Sequence, residues 1–142
     1  MTVAAKRRTA AKKLSEKARL ARNKRLVLKF YDLAINQKDF AAASKYMAPR
    51  YIQHNPAAAD GHEGLAAYID WFKRDFPNLK AEVKRVIAEG DFVVLHVHGT
   101  NGPDPHGTAV IDVFRVEDGK VAEHWDVIQA IPAEIANPNG MF

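Results

Sequence analysis

Residues 108–131 decide the fold, and they read TAVIDVFRVEDGKVAEHWDVIQAI. Two apolar runs flank Asp118-Gly119, a dipeptide that is typical of a tight hairpin turn. The stretch therefore predicts two antiparallel strands. Side chains alternate between the two faces of a strand. One face of the first run carries Val110, Asp112 and Phe114, and one face of the second run carries His124, Asp126 and Ile128.

A second pair of apolar runs lies upstream, in residues 79–100, LKAEVKRVIAEGDFVVLHVHGT, around Glu89-Gly90-Asp91. Residues 101–107, NGPDPHG, are rich in Gly and Pro and predict a loop between the two pairs. The sequence thus predicts four antiparallel strands joined as a meander. A long sheet of this kind twists and curls, which leaves a concave face for helices to cover in part.

Helices are predicted to precede these strands. From Asn23 onward, apolar side chains recur at the spacing of an amphipathic helix, namely Leu26, Val27, Phe30, Ala34 and Ile35. Asp39 is placed to cap a second, short helix that runs to Met47 and is followed by Pro49. These two helices would cover part of the concave face of the sheet.

A brief strand and a third helix complete the predicted order. Residues 51–56, YIQHNP, predict the strand, which Asn-Pro closes. Asp60 and Glu63 stand three apart, as in a capping box, and Pro77 ends the helix. Its apolar side is formed by Leu65, Ile69, Phe72 and Phe76. Helices segregated from an antiparallel sheet make an α+β domain.

The length and composition fit one globular domain. A chain of 142 residues can bury a core without disulfide or metal support. The absence of cysteine excludes disulfides, thiolate metal ligands and a cysteine nucleophile. No apolar run approaches the roughly 18 residues of a membrane helix, and no signal-peptide core follows the basic start. We therefore expect a cytoplasmic protein that does not associate with membranes.

Positive charge is concentrated at the N-terminus. Residues 1–30 hold eleven Lys and Arg and one acid, whereas the remaining residues hold 10 basic and 16 acidic groups, a net charge of −6. We predict a basic extension over residues 1–22, a domain over residues 23–131 and a tail over residues 132–142. The extension is expected to be a solvated helical or partly disordered arm. A polyanion-binding arm and a targeting peptide are alternatives. Nucleic-acid binding, if any, would be confined to it.

Several polar side chains interrupt the apolar strands: His96, His98, Asp112, His124, Asp126 and Gln129. An unpaired carboxylate is very costly to bury. These groups must therefore pair with one another, line a wet cavity or face solvent or another subunit. A cavity between the helices and the curled sheet would give them a place to act.

Metal and cofactor chemistry receive little support from the sequence. His96 and His98 could share one strand face and bind a metal together with His106, Asp112 or His124. This spacing is common by chance, and we predict no metal. Phosphate-binding loops, dinucleotide fingerprints and nucleophile elbows are missing. The expectation is cofactor-free acid–base chemistry in an enclosed pocket.

The order of segments resembles a known family. The succession YIQHNP, GHEGLAAYIDWFKRDFP, VKRVIAEGDFVVLHVHG and GTAVIDVFRVEDGKVAEHWDVIQ is similar to the SnoaL-like group of the nuclear-transport-factor-two-like superfamily, over about residues 23–131. The resemblance implies a cone-shaped, cystatin-like α+β barrel that dimerises through its outer sheet face. Relatives of this kind include polyketide cyclases that act by aldol condensation, ketosteroid isomerases, dehydratases and epoxide hydrolases, and some members only bind ligands.

The resemblance also implies where the site lies. Cyclases of this type use a carboxylate on the last strand, a few residues beyond a Trp. In this sequence Gln129 lies nearest to that position, and Asp126 follows Trp125 directly. His54 and Asp112 match positions that often line the pocket in this group.

The sequence therefore supports three hypotheses. The first is an enzyme acting on a small apolar carbonyl compound, in which Asp112 or Asp126 is the base and His54, His98 or His124 stabilises the oxyanion. The pocket walls would include Trp125, Gln129, Tyr51, Phe114 and Trp71. The second is a ligand-binding or dimeric scaffold module. The third is a protein that acts mainly through its basic arm, residues 1–22, by binding polyanions or a partner. A homodimer is expected.

Overall fold

The computed structural model describes residues 13–142, so the first twelve residues of the predicted basic extension lie outside the described part. Its elements follow in this order: α1 Glu16–Tyr31, a π-helical turn Asp32–Asn36, α2 Phe40–Ser44, β1 Met47–Gln53, α3 Gly61–Asp75, β2 Lys80–Glu89, β3 Phe92–Thr100, β4 Thr108–Glu117 and β5 Lys120–Ala130. None of these helices is long and apolar enough to cross a membrane.

The sheet is five-stranded, curved and open, with the order β1-β5-β4-β3-β2. Strands β2 to β5 form the predicted antiparallel meander. The expectation of a wholly antiparallel sheet is wrong in one respect, because β1 joins β5 in parallel. The sheet is therefore mixed, and the helices cover its concave face without closing it into a barrel.

Strand β1 also begins earlier than the sequence predicts. Helix α2 ends at Ser44, and Met47 and Pro49 lie inside the strand rather than at the end of a helix. A proline removes a backbone donor and is tolerated in edge strands and bulges. Both conditions are met, since β1 is an edge strand and its register with β5 shifts between Met47 and Ile52.

The hairpin between β4 and β5 forms at the predicted dipeptide. Asp118 and Gly119 both have positive φ, +50° and +72°. A type I′ turn requires positive φ at both central residues, and its twist matches that of the flanking strands. The turn starts the pairing of the two strands that carry the polar side chains, and a bulge at Ala122 shifts their register by one residue, between the pairs Val116–Val121 and Arg115–Glu123.

Helix α1 starts at the cap provided by Ser15, whose hydroxyl accepts a hydrogen bond from the Ala18 backbone at 3.2 Å. It therefore crosses the boundary predicted between the extension and the domain. Asp39 caps α2 as expected, by accepting from the Ala42 backbone at 2.9 Å. The capping box predicted at α3 does not form. Asp60 instead accepts from the Gln53 backbone at 2.9 Å, which ties the start of α3 to the end of β1.

The core lies between the helices and the inner face of the sheet. Val93, Leu95 and Val97 of β3 are fully buried there, against Val27 and Phe30 of α1. Toward the other end of the sheet the helices leave a hollow over β4 and β5.

Asn36 joins the π-helical turn to β2. Its side-chain amide donates to the Ala81 carbonyl at 3.0 Å, and its oxygen accepts from the Ala81 backbone N–H at 2.8 Å. Ala81 is buried, so its backbone groups have no ready access to water. One side chain thus replaces a strand partner at this edge of the sheet.

We predict that Asn36→Ala lowers the free energy of unfolding by about 1–3 kcal/mol, because it leaves two buried backbone groups without partners. Urea denaturation measures the change. Gln37→Ala is the matched control: Gln37 bonds only Asp32, at 2.8 Å and on an exposed surface, and its loss should cost less than about 0.5 kcal/mol. Equal effects of the two substitutions would contradict the role of Asn36.

Candidate active site

A cavity of about 140 Å³ occupies the hollow between the helices and the sheet. Its walls are mostly apolar and aromatic, and they include Phe30, Leu65, Phe72, Val97 and Val110. Polar side chains are grouped where β4 and β5 form the floor. The cavity is therefore an apolar enclosure with a small polar region, the usual form of a small-molecule site.

Strand pairing brings three titratable side chains into this cavity. Asp112 of β4 is the direct cross-strand partner of Asp126 of β5, and Phe114 is the partner of His124. Because residues two apart share a face, all of these side chains point to the inner face of the sheet. The sequence leaves open which face of the last strand meets the cavity; in the structure it is the face of His124, Asp126 and Ile128.

The imidazole of His124 bonds one carboxylate and lies near the other. Its Nε2 lies 2.8 Å from Asp112 Oδ1 and 3.9 Å from Asp126 Oδ2. The side chains of all three residues are less than 10% exposed. Asp112 and His124 thus form a buried hydrogen-bonded pair, with Asp126 beside it.

Gln53 fixes the tautomer of His124. The Gln53 side chain accepts a hydrogen bond from the Asn55 backbone N–H at 2.9 Å, so the accepting atom must be Oε1. The same oxygen lies 2.8 Å from His124 Nδ1. Nδ1 therefore carries a hydrogen and donates it. A single proton can then bridge Nε2 and Asp112 Oδ1, which makes the pair neutral as a unit.

Asp126 is held by Asn55, whose side-chain amide donates to Oδ2 at 2.7 Å. Burial raises the pKa of the Asp126 carboxyl, and the nearby Asp112 carboxylate adds to the effect. The bond from Asn55 and the neighbouring His124 act in the opposite direction. Asp126 is thus a stronger base than an exposed aspartate, as base catalysis near neutral pH requires.

Three tyrosines add neutral hydroxyl groups to the lining. Burial, with Asp112 next in importance, raises the pKa of Tyr31 well above its usual range. Burial and Asp126 raise the pKa of Tyr68 to about 12, and burial likewise raises the pKa of Tyr51. All three stay protonated at neutral pH and can donate hydrogen bonds.

One buried polar atom has no partner among the described residues. It is Asp112 Oδ2, on the carboxylate whose other oxygen bonds His124. An unsatisfied buried acceptor is costly, and such atoms in native structures often belong to functional sites. Because Asp112 lines the cavity, a bound molecule can supply the missing donor.

The same three residues have the composition of a metal site. Asp112, His124 and Asp126 each offer one ligand atom, and these atoms lie within 4.8 Å of one another. Oxygen and imidazole ligands suit a divalent cation, and the bond from Nδ1 to Gln53 has the form of an outer-shell contact. His96 and His98, which the sequence proposed as ligands, do not belong to this group.

Six of the ten predicted site residues line the cavity: Asp112, His124, Asp126, Tyr51, Phe114 and Trp71. The other four do not. His54 stacks on Trp125 with ring centroids 4.7 Å apart and bonds Glu123 at 2.8 Å. His98 stacks on Phe142 at 4.3 Å, and Gln129 is exposed. Trp125, Gln129 and His98 alternate with cavity-facing residues along their strands, which places them on the outer face.

The sequence analysis missed the residues that support the site, namely Gln53, Asn55, Tyr31 and Tyr68. Gln53 and Asn55 flank His54 in YIQHNP, and strand alternation in that segment would have placed them opposite His54. Of that segment, only Tyr51 and His54 are among the predicted site residues. Tyr31 and Tyr68 lie on helices whose packing against the sheet cannot be read from their spacing.

This arrangement defines a class: α+β proteins in which helices and a curved sheet enclose one small-molecule pocket. Solved structures share this fold. AclR of Streptomyces galilaeus, a candidate hydroxylase, is 25% identical with a TM-score of 0.66, over 80% of this chain and 82% of that chain. TsrD of Streptomyces laurentii is 25% identical with a TM-score of 0.65, over 82% and 91%.

A third similar structure is a candidate SnoaL-like polyketide cyclase from Jannaschia sp. CCS1, at 23% identity and a TM-score of 0.67, over 88% of this chain and 100% of that chain. The sequence profile of the SnoaL-like polyketide cyclases matches residues 25–135. The chain belongs to the SnoaL-like polyketide cyclase family, and its fold is that of the nuclear-transport-factor-two-like proteins. No functionally curated protein sequence matches it.

We predict that Asp126→Asn raises the free energy of unfolding at pH 7. The raised pKa means that the folded state disfavours the charged carboxylate, so the wild type loses stability as pH rises above the ordinary aspartate value of about 3.9. The amide removes this charge. The advantage of the variant should therefore shrink as the pH falls below that value, which denaturation across a pH series measures.

Glu123→Gln is the matched control on the outer face of the same strand. Hydrogen bonds from His54 and Arg115 lower the pKa of Glu123, so this variant should be less stable than the wild type at pH 7. Its deficit should shrink as the pH falls through the lowered pKa. If both substitutions changed the free energy of unfolding at pH 7 in the same direction, the environments assigned to Asp126 and Glu123 would be wrong.

Proposed function

We propose that this protein is a cofactor-independent acid–base enzyme that removes a proton next to the carbonyl of a small, largely apolar compound. One observation carries the proposal: Asp112, His124 and Asp126 lie together on the floor of an apolar cavity, with Asp112 hydrogen-bonded to His124 and Asp126 3.9 Å from the imidazole. Isomerisation, dehydration and ring closure by aldol condensation all begin with this step. The family's polyketide cyclases make ring closure the leading candidate.

Asp126 is assigned as the general base. Its raised pKa supports proton abstraction near neutral pH. Asn55 holds Oδ2 through a bond of 2.7 Å, which orients the carboxylate and leaves its other oxygen for the substrate. The assignment agrees with the expectation of a carboxylate on the last strand.

The Asp112–His124 pair lies on the same floor of the cavity and is assigned a role that supports the base, Asp126. Both nitrogens of His124 are occupied, by Gln53 and by Asp112, so the imidazole has no free N–H for a substrate oxyanion. Its proton balances part of the charge of Asp112, and His124 thereby offsets the repulsion through which Asp112 opposes ionisation of Asp126. Stabilisation of the oxyanion then falls to neutral hydroxyl donors, of which Tyr31 and Tyr68 line the cavity.

The reaction step balances as follows. Asp126 takes a proton from the carbon next to the carbonyl, and the electron pair of that C–H bond forms an enolate whose oxygen accepts hydrogen bonds from tyrosine hydroxyls. In a conjugated substrate the resulting dienolate then regains the proton from Asp126 at its far carbon, which moves the double bond. Alternatively, the enolate carbon attacks a second carbonyl of the same molecule. In the latter case the new alkoxide receives the proton.

Hydrogen–deuterium exchange in D₂O, followed by NMR, tests the first step directly. We expect the protein, dialysed against a chelator, to catalyse exchange at the carbon next to the carbonyl in a panel of small cyclic ketones and polyketide mimics. Asp126→Asn should slow the exchange by roughly 10²–10⁴-fold, the usual contribution of a positioned base. His54→Gln should leave it unchanged, since His54 lies on the outer face.

Three results would overturn parts of the proposal. Absence of exchange with every compound, together with tight binding of one of them, would indicate a binding module. Equal losses in Asp126→Asn and His54→Gln would remove the base assignment. Exchange that vanishes on chelation and returns with a divalent cation would show a metal at the Asp112–His124–Asp126 group.

We also propose a homodimer formed through the outer face of the sheet. Ile111 and Val127 are cross-strand partners there and are 41% and 72% exposed. Ile87 and Phe92 on the neighbouring strands are 60% and 44% exposed. An exposed apolar patch of this kind is typical of a protein interface, and an isologous pair would cover it.

We predict that Val127→Glu converts the dimer to a monomer, because it places a carboxylate at the most exposed apolar side chain of this patch. Size-exclusion chromatography with light scattering measures the mass. Leu14→Glu, at an apolar side chain that is 48% exposed outside the sheet, should leave the dimer intact. A wild-type protein that is monomeric at every concentration would contradict the proposal.

A further inference from the structure

We infer that the pocket selects an uncharged compound of about one ring that donates a hydrogen bond to Asp112 Oδ2. The inference rests on the proposed function in taking this cavity as the ligand site, and it narrows the class of ligand by size, by charge and by hydrogen-bonding group. Each of the three follows from a separate feature of the cavity.

The size follows from the volume. The cavity measures about 140 Å³, close to the roughly 150 Å³ of an engineered cavity that holds benzene. Pockets for drug-sized ligands measure roughly 300–1,000 Å³. A single six-membered ring therefore fills the enclosed space, and the further rings of a polycyclic compound would have to lie outside it.

The charge follows from the lining. Three carboxylates, Asp104, Asp112 and Asp126, contribute to the walls, and none of the lining side chains in residues 13–142 is Lys or Arg. The one basic side chain, His124, is already engaged by Gln53 and Asp112. A carboxylate or phosphate ligand would be buried without a counter-charge, which is strongly unfavourable. Acidic substrates and phosphate-bearing carriers are thus excluded from the enclosed space.

The hydrogen-bonding group follows from Asp112. Its Oδ1 is bonded to His124 Nε2 at 2.8 Å, and its Oδ2 is buried without a hydrogen-bond partner among residues 13–142. The bridging proton lies on the Oδ1 side, so Oδ2 can only accept. A ligand with an O–H or N–H group satisfies it, whereas a ligand with only acceptors leaves it unpaired. An uncharged hydroxyl is favoured over an ammonium group, because the Asp112–His124 pair is already neutral and an ammonium would occupy the base, Asp126.

A matched series of benzene derivatives tests the three features, with binding followed by amide chemical-shift changes in NMR titrations. Phenol is neutral and has a donor, anisole lacks the donor, benzoate is an anion, benzylammonium is a cation and 2-naphthol adds a second ring. We expect phenol to bind about tenfold more tightly than anisole, benzoate not to bind, and benzylammonium and 2-naphthol to bind no more tightly than phenol.

Two variants test whether Asp112 causes the preference for a ligand with a hydrogen-bond donor. Asp112→Leu, a side chain of similar size, removes the acceptor, so the preference for phenol over anisole should disappear. Asp104→Asn removes a carboxylate elsewhere on the lining and should leave that preference unchanged. If Asp112→Leu does not fold, the wild-type series still tests the inference.

The outcomes separate this inference from the proposed function. Binding of phenol in the expected order without exchange of any ketone supports the inference and contradicts the enzyme proposal. Exchange of a ketone together with binding of benzoate, or with 2-naphthol at least about tenfold tighter than phenol, supports the enzyme and overturns the inference. Tighter binding of benzylammonium would also overturn it and would identify the ligand class as amines.

Discussion

The hydrogen bond between Asp112 and His124 is the interaction on which the site depends. A carboxylate buried as deeply as Asp112 needs a partner that is close and correctly protonated. His124 supplies one at 2.8 Å because β4 and β5 pair in a register that puts the two side chains diagonally across the same face. The Asp118-Gly119 turn starts the pairing, and a bulge that leaves Ala122 of β5 unpaired then shifts the register by one residue. Turn and bulge together therefore determine which titratable groups meet.

The site retains polar groups where apolar ones would give a more stable core. Gln53 and Asn55 hold His124 and Asp126 in place, yet burial still raises the pKa of Asp126. Energetic cost of this kind is typical of catalytic and binding sites. It explains why an apolar strand tolerates two carboxylates and an imidazole: they form one network that opens into a cavity rather than three separate defects.

Much of the architecture could be predicted from the sequence, because it follows from local patterns. The Asp118-Gly119 turn, the Asp39 cap and the alternation along β4 and β5 are properties of short segments. The parallel pairing of β1 could not be predicted, since it depends on the distant β5 strand. Asp112, His124 and Asp126 were candidates because they interrupt apolar runs, but their cavity face depends on where the helices pack. For the same reason Tyr31 and Tyr68 were missed.

The most direct measurement is an NMR titration of the side chains themselves, with ¹³C observation of the aspartate carboxyl groups and ¹⁵N observation of the histidine rings. The account predicts that the Asp126 carboxyl titrates above the ordinary aspartate range and that His124 Nδ1 keeps its hydrogen while Asp126 titrates. An Asp126 carboxyl that titrates at or below that range, beside a His124 ring without a hydrogen on Nδ1, would contradict it.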